Sequence, residues 1–129
     1  ESQLWEMNGG GWFWQLKGAE VITARHALNR LKEIPLILHL QLEEQIVVIA
    51  HADYPAEHYA WEQAVNWHDV VWSRRRIDGL QQGRRDTIPG ADAFYFGHTP
   101  LQHRLDVDNL HYIDTGAVFG NHLTLVQVQ

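Results

Sequence analysis

The chain has no cysteine, which excludes disulfides and thiolate metal sites and leaves its redox compartment open. Basic residues are scarce: ten lysines and arginines face sixteen aspartates and glutamates, for a formal charge of −6. A nucleic-acid binder carries a basic stripe, so nucleic acid is not an expected partner. No apolar run approaches the roughly 20 residues of a membrane span, and no secretory signal opens the sequence. The expectation is a soluble, cytoplasmic protein without a membrane partner. An opening that lacks methionine adds the expectation that residues are missing in front of it.

What is present reads as globular. Apolar residues make up 45% and charged residues 20% of 129 positions, enough for one domain or part of one. Asn8-Gly9-Gly10-Gly11-Trp12 concentrates glycine beside aromatics, which marks a sharp turn or a close backbone approach. Val21, Ala24, Leu28, Leu31 and Ile34 recur three to four apart and predict a helix over 19–33, ended by Pro35. Strand-like runs over 36–42 and 45–50 flank Glu43-Glu44 as a hairpin, and the second run is apolar throughout, as in a strand buried on both faces. A helical pattern is expected over 56–77, with Trp61, Val65, Val70, Val71 and Trp72 in the core, followed by a polar loop over 79–90. A short strand over 93–96, a hairpin across Asp108-Asn109, a turn at 114–117 and a closing strand over 123–128 complete a mostly antiparallel α+β or α/β chain.

Two segments carry the chemistry. His51-Ala52-Asp53-Tyr54-Pro55 and Gly97-His98-Thr99-Pro100 each place a histidine just after a strand-forming run. A histidine at the carboxyl end of a buried strand stands at the functional rim of a layered α/β fold. Imidazole is the commonest metal ligand because it binds while neutral. Taken singly, either histidine reads first as a hydrogen-bonded core residue and only second as a ligand. The other seven, at 26, 39, 58, 68, 103, 111 and 122, lack a comparable setting and read as surface or local structural residues. Arg74 follows Val70-Val71-Trp72, so its guanidinium emerges from a buried base and suits bidentate phosphate binding, with a solvated Arg-Arg-Arg run as the alternative. Asp53 either tunes a nearby ligand or caps a turn, and Asp114 reads as turn-forming.

The motifs Asn8-Gly9-Gly10-Gly11-Trp12, His51-Ala52-Asp53-Tyr54-Pro55, Trp72-Ser73-Arg74, Phe96-Gly97-His98-Thr99-Pro100 and Tyr112-Ile113-Asp114-Thr115-Gly116-Ala117-Val118-Phe119 occur in that order. As an ordered set they resemble the small bacterial and bacteriophage metal-dependent serine/threonine protein phosphatases, of the lambda-phosphatase type, within the calcineurin-like metallophosphoesterase superfamily. The resemblance implies a β-sandwich flanked by helices and a phosphoprotein substrate bearing phosphoserine or phosphothreonine, with phosphotyrosine as a further candidate. It also implies two divalent metal ions, manganese first and nickel, iron or zinc as alternatives, which activate a water for in-line attack. By position His51 and His98 would be ligands of one metal, Arg74 would hold phosphate oxygens, and Asp53 would support a ligand from outside.

The departures are as informative. The family's Gly-Asp-x-His-Gly, Gly-Asp-x-Val-Asp-Arg-Gly and Gly-Asn-His-Glu motifs are not in this sequence. The chain therefore looks like the C-terminal portion of one such catalytic domain, and 129 residues lacking those ligands are expected to be inactive alone. Six tryptophans and a face left open by truncation would favour self-association. Two alternatives stay open: another phosphoesterase of the same fold, such as a dinucleoside tetraphosphate hydrolase, and a non-catalytic module that keeps a metal or phosphate pocket.

Overall fold

The computed structural model describes residues 2–128 and separates into two compact units divided between Pro35 and Leu36. The first holds helix α1 (Ser2–Met7), a 3-10 turn (Gly10–Gln15), helix α2 (Ala19–Arg30) and a further 3-10 turn (Leu31–Glu33). The glycine cluster makes both features its composition suggests. Gly9 turns the chain at φ +87°, and a Cβ on Gly10 would stand 2.2 Å from the Trp5 indole, so only glycine fits beneath that ring. The Trp5 indole N–H donates to the Gly10 carbonyl at 2.6 Å. Along α2, Val21, Ala24 and Leu28 are half-buried as the stripe predicts, whereas Leu31 and Ile34 beyond it stay exposed.

The second unit is a mixed α+β layer: one five-stranded sheet in the order β1-β2-β3-β5-β4, with helices against it. Its strands are β1 (Ile37–Gln41), β2 (Ile46–Ala50), β3 (Ala93–Phe96), β4 (Leu105–Val107) and β5 (Leu110–Tyr112). The two expected hairpins are present as β1–β2 and β4–β5, both antiparallel. The centre corrects the expectation of a mostly antiparallel sheet, because β2–β3 and β3–β5 pair in parallel. Continuous apolar strands such as Ile46-Val47-Val48-Ile49 belong at such a centre, where both faces are covered. Val48, Ala50, Phe94, Phe96, Leu110 and Tyr112 project from one face into a core shared with Val70, Ile77 and Leu80.

Those last three residues lie on helices α3 (Trp67–Trp72) and α4 (Arg75–Gln81). The long helical stretch expected over 56–77 is thus two short helices after an irregular loop. The Asn66 side chain accepts the His68 backbone N–H at 3.0 Å, which starts α3 late, and extended Ser73 ends it. Loop residues 56–66 are held by tertiary bonds, such as Tyr59 N–H to the Pro89 carbonyl at 2.8 Å, and these outweigh local propensity. Trp61 and Trp72, expected in the core, are 58% and 53% exposed: Trp61 lies in that loop, and on so short a helix as α3 only Val70 points fully inward. The polar loop begins later than expected, after α4 runs to Gln81. The closing strand does not form: residues 123–128 pair with no strand among the described residues, and Leu123 and Leu125 stay exposed. Alternation alone cannot make a strand without a neighbour to complete its ladder. No described helix is long and apolar enough to cross a membrane.

Candidate metal and phosphate site

Parallel pairing of β2 with β3, in the register Ala50 to Phe96, brings their carboxyl ends to one edge of the sheet. His51 lies one residue past β2 and His98 two past β3. The Gly97 backbone N–H donates to the His51 carbonyl at 2.8 Å and locks the two ends together. The rings converge, with His51 Nε2 3.1 Å from His98 Nδ1. Two nitrogens bound to one ion at about 2.1 Å, at octahedral or tetrahedral angles, stand roughly 3.0–3.4 Å apart. The pair therefore has the spacing of adjacent ligands on a single metal. His98 reaches this position at φ +67°, a left-handed conformation that costs a non-glycine residue about 1 kcal/mol or more and is retained where function or packing demands it.

The electrostatics suit a ligand. Burial holds the His98 imidazolium below the ordinary value of 6.5, and the neighbouring His51 and Arg74 lower it further. Asp114 and the backbone carbonyl of Trp72 oppose that shift without reversing it. His98 is thus neutral, with a lone pair to offer, over most of the physiological range. The Trp72 indole stands edge-on to the ring at 5.6 Å and 84°. Two nitrogens are fewer donors than a metal site requires. Among the described residues, no group of three histidine, cysteine or carboxylate side chains could hold a metal ion.

Arg74 is exposed at the start of α4 and, among the described residues, pairs with no carboxylate. Its base is firm: Ala52 N–H donates to the Val70 carbonyl at 2.8 Å and Ser73 N–H to the Asp69 carbonyl at 3.0 Å. The first bond ties α3 to the segment just after His51, and the second closes the end of α3 before the Arg74 turn. Asp53 is buried, and its carboxylate is occupied away from the histidines. It accepts the Tyr54 N–H at 2.7 Å, the Ser73 hydroxyl at 3.3 Å and Arg76 Nε at 2.8 Å. Asp114 likewise accepts the Gly116 N–H at 2.9 Å, as a turn-former does.

Over all 129 residues the chain is 47% identical to serine/threonine-protein phosphatase 1 of Salmonella typhimurium strain LT2, covering 58% of that protein. It is 33% identical to serine/threonine-protein phosphatase 2 of the same organism and 29% identical to that of Escherichia coli strain K12, covering 59% of each. The chain is a homologue of bacterial serine/threonine-protein phosphatases. It spans somewhat less than three fifths of the length of these relatives. No protein-family model matches it.

The residue that sequence reasoning missed is Arg76. Its guanidinium is 13% exposed and bonds Asp53, Asp86 and the Tyr54 and Ala56 carbonyls. Burial alone would lower its pKa, but the hydrogen bond and charge of Asp53, with the charge of Asp86, carry it above the usual arginine value. The signal was latent in α4, where Arg76 shares the inward face with Ile77 and Leu80 while Arg74 and Arg75 face out. Reading it required the helix phase and the knowledge that Asp53 is buried and needs a counter-charge. The Tyr112 hydroxyl is buried in the same neighbourhood without a hydrogen-bond partner among the described residues, and burial followed by the Asp53 charge pushes its pKa up.

A cleft of about 740 Å³ is lined by Asp53, Ser73 and Asp86 and by the arginines at 75, 76, 84 and 85. Neither histidine of the pair lines it, nor does Arg74. Its four arginines are matched by Asp53, Glu57, Asp69 and Asp86, so it carries no net charge to attract phosphate.

The lowered His98 value has a measurable consequence. The unfolded chain takes up a proton near 6.5 while folded His98 is still neutral, so this residue subtracts stability as pH falls below 6.5. The loss levels off once folded His98 protonates. An NMR titration of the His98 ring in the metal-free protein is expected to give a midpoint below 6.5, and a midpoint above it would contradict the electrostatic account.

Proposed function

We propose that this chain carries one half of the active site of a metal-dependent phosphoprotein phosphatase that hydrolyses phosphoserine and phosphothreonine esters. The observation that carries the reading is the 3.1 Å approach of His51 Nε2 to His98 Nδ1 at one sheet edge, within electrostatic range of Arg74. His51 and His98 would hold one divalent ion, manganese being the first to test. When bound, such an ion supplies Lewis acidity toward the phosphoryl oxygens and a nucleophile at neutral pH. Arg74 binds two phosphoryl oxygens with its planar fork and stabilises the charge that develops on them. His98 stays neutral at the pH of the reaction and keeps its lone pair directed at the site. Trp72 shields one edge of that ring and limits its rotation. The remaining ligands come from outside this chain, because the described residues include no third one beside the pair.

A p-nitrophenyl phosphate assay with added manganese tests both parts of the reading. The whole protein is expected to show metal-dependent turnover that a chelator abolishes, and the 129-residue chain alone is expected to show none above background. Turnover by the isolated chain at the rate of the whole protein would contradict the half-site, and no metal-dependent turnover by either would contradict the phosphatase.

A further inference from the structure

We infer that the buried Asp53–Arg76 pair is a positioning device that holds the His51 segment and the Arg74 turn in one rigid frame; this rests on the phosphatase reading above. The two candidate groups come from distant parts of the chain. His51 follows a strand, and Arg74 sits between two short helices. Their relative placement decides whether a phosphate can meet a metal and a guanidinium together, and a misplacement of about 1 Å can cost a hundredfold in rate.

The bonds of the pair run across that gap. Arg76 Nε donates to Asp53 Oδ1 at 2.8 Å, and Asp53 Oδ2 accepts the Ser73 hydroxyl at 3.3 Å, one residue before Arg74. The same Ser73 oxygen accepts the Arg75 backbone N–H at 3.3 Å, on the other side of Arg74. Arg76 Nη2 reaches the Tyr54 carbonyl at 3.1 Å and the Ala56 carbonyl at 3.4 Å, which secures the segment after His51. Nη1 completes the set on Asp86. One guanidinium thus fastens three segments of chain, with Asp53 as the link to the Arg74 turn. Fold stability alone is a weak reason for such a pair, since exchanging a buried ion pair for apolar groups is often neutral or stabilising. Its fixed geometry is the property an apolar replacement would lose.

The test measures manganese(II) binding and inorganic phosphate binding by calorimetry in the whole protein, together with thermal unfolding. Asp53→Asn keeps an acceptor for the Tyr54 N–H, and the double variant Asp53→Asn with Arg76→Met leaves no buried charge uncompensated. Both are expected to stay folded yet to bind manganese and phosphate each about 10- to 100-fold more weakly. Arg85→Ala, which removes an exposed partner of Asp108, is expected to change neither. A folded double variant with unchanged affinities would overturn the inference, as would one in which only one ligand is affected. Failure of both variants to fold would make the pair merely structural and overturn it as well. A wild-type protein that binds neither ligand would instead overturn the phosphatase reading, before any variant is considered.

Discussion

Replacing His51 by alanine in the whole protein is expected to lower kcat/KM for p-nitrophenyl phosphate about a thousandfold, since a catalytic metal contributes several kcal/mol and each 1.36 kcal/mol is a factor of ten. The side chain is exposed, so the loss comes without a packing penalty that would confuse the reading. His98 needs a different substitution. Its φ of +67° would strain alanine, whereas glycine accepts that conformation freely, so His98→Gly isolates the imidazole. The two variants are expected to fall equally, and the double variant no further than either, because losing one ligand of a shared ion already abolishes the site. His103→Ala, at an exposed position away from the pair, is expected to keep activity within a factor of about two. Steady-state kinetics over a manganese series provides the check. Independent, multiplicative losses at His51 and His98 would show that they do not serve one ion.

The second large effect belongs to Arg74. Its removal as Arg74→Ala is expected to reduce kcat/KM about 10²- to 10³-fold, as removal of a preorganised donor to developing charge does elsewhere. Inhibition by inorganic phosphate should weaken in parallel. Arg74→Lys should recover only part of the loss, because a point charge cannot replace a planar fork of donors. The neighbouring Arg75→Ala is the informative contrast. Arg75 is also exposed, yet it lines the neutral cleft and not the histidine edge, so its loss is expected to change kcat/KM by less than about threefold. Equal losses at the two arginines would favour a diffuse basic run over a single phosphate-binding group.

Local chemistry made much of this edge legible in the sequence. The apolar runs ending at Ala50 and Phe96 predicted strands that end where β2 and β3 end, and a histidine just past each end could be placed without knowing the sheet order. Helix α2 and both hairpins were equally visible, because periodicity and turn residues act over a few positions. What could not be read depends on contacts distant in sequence. Trp61 looked like core, but loop residues 56–66 are held by Pro89 and leave the indole exposed. Residues 123–128 have strand composition but no strand beside them among the described residues. Arg76 read as part of a solvated arginine run behind Arg74 until the start of α4 set the phase that turns it inward to Asp53. The parallel pairing of β2 with β3, which brings two histidines 47 positions apart within 3.1 Å, likewise lies beyond local pattern.

The central claim is that His51 and His98, alone among nine histidines, share one metal ion. Paramagnetic broadening tests it directly, by titrating manganese(II) into the whole protein while the imidazole resonances are followed by NMR. The prediction is that the His51 and His98 signals from this chain broaden first and together, at the same manganese concentration, while His26, His39, His58, His68, His103, His111 and His122 stay sharp. Early broadening of any of those seven, or of only one member of the pair, would contradict the account.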